Sequence, residues 1–301
     1  MDYQLIAGQL FNAASVASIL FLVAVGLSLS FGIMGVINMA HGEILMLGGY
    51  MAYLTFHAVG GVPGVLLALA AAFCAAALLG LLLELSLIRR LAARPLDTLL
   101  ATWGLGLILQ QAARSLFGPI GVEVVASGWL GGTLDLTGRL LAGVSLAHVR
   151  LFILALAALV LGGIGVFLAW TPTGLLVRAV NQDRETAQTL GVDARRIDRL
   201  VFALGTGVAG LGGAAVALIA PVTPTVGQSY IVYAFMVVIL GGLGSLLGTT
   251  VAALLVGLFS AGAQIFTSVS TADVLLLVFV IGFIQFRPRG IVWRRSRALE
   301  D

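Results

Sequence analysis

Eight apolar runs, at about 8–31, 43–59, 63–88, 98–117, 150–170, 199–220, 229–257 and 271–286, leave this chain few ways to fold. Each is near the ~20 residues that carry an α-helix across a bilayer. Backbone amides in lipid can bond only to each other, so such runs become helices. The run at 229–257 is interrupted by Gly241-Gly242-Leu243-Gly244-Ser245, which reads as a broken span followed by another. The expectation is an all-α polytopic membrane protein: one transmembrane domain over 1–301, a bundle of eight or nine helices, some discontinuous. Composition agrees, with 60% hydrophobic and only 10% charged residues, where a soluble domain keeps about 25% charged.

Orientation follows from arginine, which supplies all sixteen basic residues. Thirteen of them fall in three segments: Arg89 to Arg94, the stretch 172–199, and 287–297. Basic loops beside spans stay in the cytoplasm, so these three read as cytoplasmic, including a coupling loop at 172–198 and a C-terminal tail at 287–301. An odd number of spans separates each from 118–149, which then lies outside as a periplasmic loop. Its glycines and Pro119 predict turns or short hairpins. The start Met1-Asp2-Tyr3-Gln4 lacks the basic lead of a cleavable signal and reads as a retained, non-cytoplasmic end. Cys74, the single cysteine, forms no internal disulfide and reads as a small buried packing residue.

Polar residues inside the spans carry the functional reading. Asn38-Met39-Ala40-His41-Gly42-Glu43 sets three polar side chains in an apolar run. A carboxylate at bilayer depth must face the bundle interior, a water path or a partner. Glu43 either contacts cargo or caps the helix that follows, where an acid suits the positive end. A second polar set comprises Thr102, Gln110, Gln111, Gln228, Tyr230, Tyr233 and Gln264. These either knit helices together or line a path rich in donors and acceptors. Glycine punctuation in Gly26–Gly42 and Val238–Gly248 suggests broken helices in two halves, a pattern of transport sites.

The loop segment Arg178 to Asp193 predicts one amphipathic helix over 178–190, with Ala179, Val180, Ala187 and Leu190 on its apolar side and Gly191 as its stop. A short helix at the membrane face can be gripped by a partner's groove or can rest on headgroups.

Glu185-Thr186-Ala187-x-x-x-Gly191 resembles the EAA-x-x-x-G signature of ABC importer permeases, with Thr186 in place of the middle Ala and no later Pro. Gly26–Glu43 with Met46-Leu-Gly48, Arg178–Gly191, and Gly241 to Gly248 resemble the branched-chain amino acid permease family in order and spacing, over nearly the whole chain. Gly35–Glu43, Ala101–Gln111, Val122–Val125 with Trp129-Leu, and Gly227–Val238 resemble its urea permease branch more closely.

The resemblance implies a multi-pass bacterial inner-membrane permease, not an enzyme, with a cytoplasmic C-terminus. It also implies a second permease subunit, two ATP-binding subunits and a periplasmic substrate-binding protein, with no nucleic acid. The chain has no lysine and so no phosphate-binding G-x-x-x-x-G-K-[ST] loop; ATP would sit on the partners, and no cofactor or metal is expected in this chain. The expected substrate path is Asn38, His41, Glu43, Thr102, Gln110, Gln111 and Tyr230. The expected ATPase-coupling residues are Arg178, Asp183, Arg184, Glu185, Ala187 and Gly191. Neutral polar groups and no obvious buried Arg point to urea or a short amide as cargo. The alternatives are a branched-chain amino acid, or an ion-coupled transporter or channel.

Overall fold

A computed structural model of the chain describes residues 3–92, 94–124, 128–135 and 145–292. Arg139 of the segment 118–149 and Arg294, Arg295 and Arg297 of the segment 287–301 lie outside them. Helix α1 (Tyr3–Met34) is followed by α2 (His41–Val59) and α3 (Gly61–Leu83), which runs through a π turn (Glu84–Ile88) into α4 (Arg89–Leu91). Helix α5 (Pro95–Phe117) precedes strands β1 (Thr133–Asp135) and β2 (Ser145–Ala147). Then come α6 (His148–Trp170), α7 (Pro172–Gln182), α8 (Arg184–Thr189), α9 (Ala194–Ala217), α10 (Val226–Gly241), α11 (Leu246–Phe266) and α12 (Val269–Phe286).

Six helices are long and apolar enough to cross a membrane: α1, α3 with α4, α6, α9, α11 and α12. Helices α2 and α5 carry polar residues, and α10 is shorter. The chain is a polytopic membrane bundle, as the apolar runs predict. The break at 242–245 starts a separate helix, because Gly242 and Gly244 take positive φ (96° and 73°) that other residues rarely adopt. Helix α10 ends there and α11 turns back.

Helices α1 and α9 form the centre. In their apolar windows 72% and 78% of residues are buried, against 17% for α12 and 22% for α6. They cross without side chains between them: a Cβ on Gly26 would stand 2.1 Å from the Gly205 carbonyl oxygen. Small residues bring helices this close in membranes, where dispersion and hydrogen bonds hold them together. Helix α3 packs along α9 through Gly80 on Thr206 and Ala72 and Ala76 on Gly210. Helix α11 packs along α1 in the same antiparallel way, through Gly257 on Ala13 and Ala17 and a Thr249–Ser28 hydroxyl hydrogen bond of 2.9 Å.

The two arrangements are inverted copies. Helices α2 and α10 begin 185 residues apart (226 − 41), as do α3 and α11 (246 − 61). Each of α2 and α10 starts inside the bundle: a Cβ on Gly42 would stand 2.2 Å from the Gly227 carbonyl oxygen. The sequence pairing of Gly26–Gly42 with Val238–Gly248 is corrected here, since the counterpart of the linker at 35–40 is 218–225. Glycine punctuation at 238–248 marks the reversal between helices at the bundle end.

The two ends differ in charge. At one end, Arg89, Gln188, Val192, Arg195 and Arg199 line a common cleft of about 460 Å³. Ile33 of α1 packs beside α7 there, and Gly32 meets Gly244. Gly290 lies against Gly242, and the Ile291 amide donates to the Leu240 carbonyl. The three arginine segments, as far as they are described, thus share one end. At the other, a reciprocal pair of backbone hydrogen bonds joins Val122 to Val222, and β1 pairs antiparallel with β2, within the segment 118–149 where turns or short hairpins are predicted. Cys74 is corrected: it is exposed on the outward face of α3.

Replacing Gly26 by Ala should destabilise the bundle by about 1–3 kcal/mol, the usual cost of overpacking. Gly162→Ala, where a Cβ meets nothing within 4 Å, should be close to neutral. Thermal unfolding of the detergent-solubilised chain separates them; equal midpoints would contradict the close crossing.

Candidate functional site: a closed helix break and an exposed short helix

The linker after α1 is built from its own polar groups. Gly35 takes φ +64° and turns the chain out of α1. Asn38 is fully buried, and its Oδ1 accepts from the Ala40 amide at 3.1 Å, the local bond that Asn favours in turns. The Met39 amide donates to Thr102 Oγ1 at 3.1 Å, fastening the linker to α5. His41 Nε2 lies 3.0 Å from the Val23 carbonyl oxygen. A carbonyl only accepts, so Nε2 carries the proton. Among the described residues, Asn38 Nδ2 and His41 Nδ1 are buried without a hydrogen-bond partner.

Glu43 lies in the first turn of α2 and is 3% exposed. Gln110 Nε2 donates to its Oε1 at 2.7 Å. Gly106 leaves room for the carboxylate, whose Oε2 would stand 3.3 Å from a Cβ there. The start of α2 adds a positive helix end, and the start of α10 abuts it at Gly42–Gly227. Asn38, His41, Glu43, Thr102 and Gln110 therefore converge on one buried junction. Gln111 and Tyr230 do not join it: Gln111 points out of the bundle and Tyr230 is half-buried against the apolar core. Tyr233 donates to Asp273 of α12 at 2.6 Å, and Gln264 donates to Ser260 of its own helix. The contacts of Gly106 with Glu43 and of Gly227 with Gly42 escaped the sequence reading, because nothing local marks the partner of a glycine.

The segment is two helices, α7 and α8, where one over 178–190 is predicted. Asp183 breaks it with extended backbone (φ −155°) and caps α8. Its Oδ1 accepts from the Thr186 amide at 2.9 Å and its Oδ2 from the Thr186 hydroxyl at 2.7 Å, a cap worth about 1 kcal/mol. Gly191, at φ +88°, ends α8. The Gly191 amide donates to the Gln188 carbonyl and the Val192 amide to the Ala187 carbonyl, the paired bonds of a glycine helix stop.

Val177, Val180 and Ala187 turn inward onto Ala194, Ile197 and Val201. Leu190 is corrected: it is 80% exposed, because the break at Asp183 rotates α8 relative to α7. Arg184 faces inward and binds both carboxylate oxygens of the buried Asp198, at 3.0 and 2.5 Å. That hydrogen-bonded carboxylate holds Arg184 above the usual arginine range, although burial works against it. Asp198 escaped the sequence reading; an acid amid the arginines of 195–199 was the available signal. Arg178, Glu185 and Gln188 are exposed, and among the described residues Glu185 has no hydrogen-bond or ion-pair partner. The result is a short helix fixed from beneath and open above.

Comparison with known proteins adds a family. The family model described as branched-chain amino acid transport system / permease component matches residues 9–284. The high-affinity branched-chain amino acid transport system permease protein BraD of Pseudomonas aeruginosa is 30% identical over 95% of both chains. The corresponding LivH protein of Escherichia coli K12 is 26% identical over 95% of both chains. The probable branched-chain amino acid transport permease protein LivH of Methanocaldococcus jannaschii is 25% identical over 94% of this chain and 92% of its own. No solved structure matches the chain.

Gln110→Leu should cost about 1–3 kcal/mol by leaving the Glu43 carboxylate buried and unpaired. The double variant Gln110→Leu/Glu43→Leu should recover most of that loss, since removing both partners is nearly neutral. A thermal-unfolding cycle in detergent measures the coupling; strictly additive losses would deny it.

Proposed function

Because the chain belongs to the branched-chain amino acid transport system permease family, we propose that it forms half of the membrane path of an importer for branched-chain amino acids, driven by ATPase subunits gripping α8. The chain is a permease subunit of the ABC type; the cargo, the coupling role of α8 and the partners are this reading. A second permease subunit, two ATP-binding subunits and a binding protein outside the membrane complete the assembly. The arginine-rich end faces the cytoplasm, following the positive-inside rule.

The observation that carries the reading is the construction of α8. Its Asp183 cap, glycine stop and Arg184–Asp198 pair hold a short helix rigid on α9, while Glu185 and Leu190 stay free. A helix so mounted can transmit a push from a partner's groove into α9, which crosses α1 at the bundle centre. Arg184 and Ala187 then act as positioning residues, and Glu185 as a docking residue.

The leaning toward urea or a short amide gives way to the amino-acid alternative. The relatives are named for branched-chain amino acids. The neutrality argument also weakens, because two helix N-termini and the Glu43 carboxylate lie together in the bundle. A zwitterion's carboxylate can be met by helix ends and its ammonium by an acid. In the arrangement described, these groups are closed on one another, so cargo would pass only after α2 and α10 part.

Glu185→Ala should lower ATP-driven uptake at least tenfold while leaving the unfolding midpoint unchanged. Gly191→Val should lower uptake likewise, with some loss of stability from straining the stop at φ +88°. The assay is leucine uptake by the reconstituted transporter with its binding protein, competed by isoleucine, valine, urea and acetamide. Wild-type uptake in both variants would overturn the docking role, and competition by urea alone would overturn the cargo.

A further inference from the structure

Glu84 is an acid that neither the helix break nor α8 uses. It is 2% exposed, and among the described residues its Oε2 is buried without a hydrogen-bond partner. A buried carboxylate left in that condition is destabilising and calls for an explanation. The acid opens the π turn that follows α3, where the Arg89 amide reaches back five residues to the Glu84 carbonyl. Wide turns of this kind inside helices frequently sit at functional sites.

Glu84 stands at the foot of the seam between α3 and α9. Ala72, Ala76, Gly80 and Glu84 follow one another at intervals of four, and all are buried. Ala72 and Ala76 meet Gly210, and Gly80 meets Thr206. The two helices run antiparallel, so the acid lies beside the first turns of α9. Phe202 of α9 shares an apolar cluster there with Leu83 and Ile88, which come before and after the acid. The charges that act on Glu84 are Arg199, Asp198 and Arg89. Counted from the Gly80–Thr206 contact, Arg199 is three residues farther along the seam than Glu84. That is about 4.5 Å of helix, a gap that an arginine side chain spans.

The other acids at this end are already taken. Both oxygens of Asp198 accept from Arg184, and Asp193 pairs with Arg196 at 2.8 Å. Arg199 is half-buried, and its Nε donates to the Arg195 carbonyl at 3.3 Å. Among the described residues no carboxylate stands within ion-pair distance of Arg199. A buried acid without a base and a half-buried base without an acid therefore face each other across one helix seam. Along that seam the side chains of α3 are small, which leaves little to interlock if α9 shifts.

We propose that Glu84 is a positioning residue of the transport cycle: when α8 is displaced and carries the start of α9 with it, Arg199 closes onto Glu84 and holds α9 against α3 in the new position. This rests on the reading of α8 as the docking helix and adds the contact that its movement makes. The pair is open in the arrangement described, where α2 and α10 are closed on each other. It forms in the arrangement in which they part.

The experiment uses the complete reconstituted transporter with its ATPases and binding protein. Leucine uptake, ATP hydrolysis and the unfolding midpoint are measured for Glu84→Gln, Arg199→Met, the double variant, Arg89→Met and Glu185→Ala. Glu84→Gln and Arg199→Met should each lower uptake about fivefold and raise the ATP consumed per leucine carried. The double variant should be no worse than the lower single, because both changes remove one contact. Glu84→Gln should not lower the midpoint, since a neutral amide replaces an unpaired buried charge. Arg89→Met should keep near-wild-type uptake. Wild-type uptake in Glu84→Gln, losses that multiply in the double variant, or a lowered midpoint accompanying the uptake loss would each overturn the proposal. A loss in Arg89→Met with none in Arg199→Met would overturn the choice of partner. Glu185→Ala keeps the two readings apart. Low uptake there with wild-type uptake in Glu84→Gln refutes this contact alone, whereas wild-type uptake in Glu185→Ala refutes the docking of α8.

Discussion

The structure depends on a contact between two pieces of backbone in the middle of the bundle. Helices α2 and α10 start inside the protein, and their first turns meet at Gly42 and Gly227 with no side chain between them. Two helix ends left bare in a membrane interior would strand unbonded amides. The linker before α2 answers this with Asn38, the Thr102 hydroxyl and the Glu43 carboxylate held by Gln110. Helices α1 and α9 must then pass close enough to frame the junction, which their Gly26–Gly205 crossing allows. The polar junction and the glycine-lined crossing are two parts of one solution.

The inverted arrangement gives that junction a mechanical meaning. Each half contributes a central helix, a helix that begins at depth and a third that packs along the other half's central helix. An element shared so evenly can part along the plane between halves, as broken helices at a repeat interface do in transporters. The halves differ in what they add. Helix α5 covers Glu43, while α12 sits on α10 through Tyr233 and Asp273. The symmetry ends where the chemistry begins.

At the arginine-rich end, the fold mounts a short helix on α9. The Arg184–Asp198 pair is half sheltered, and the loss of one member would leave an uncompensated charge against α9. The apolar cluster of Val177, Val180, Ala187, Ile197 and Val201 makes α7, α8 and the start of α9 one body. A force on α8 is therefore a force on α9, and α9 reaches the central junction through Leu45, Gly48 and Gly49 of α2.

Local signals carried far in the sequence. Apolar runs give the spans because lipid leaves a backbone no alternative to the helix. Gly191 gives the end of α8, and the glycines at 242–244 give a reversal, because positive φ is a property of one residue. The arginine segments give one end of the bundle. What tertiary packing decided is which face of each helix turns inward. In a soluble helix the apolar stripe reveals this, but here core and lipid are both apolar, so an apolar helix carries no such mark. Gln110 and Gln111 stand side by side in the chain, yet one binds Glu43 and the other points outward, since neighbours on a helix lie about 100° apart. Asp198 for Arg184 and Gly227 for Gly42 were likewise settled only when distant helices packed, because a contact's energy belongs to both partners and neither alone encodes it.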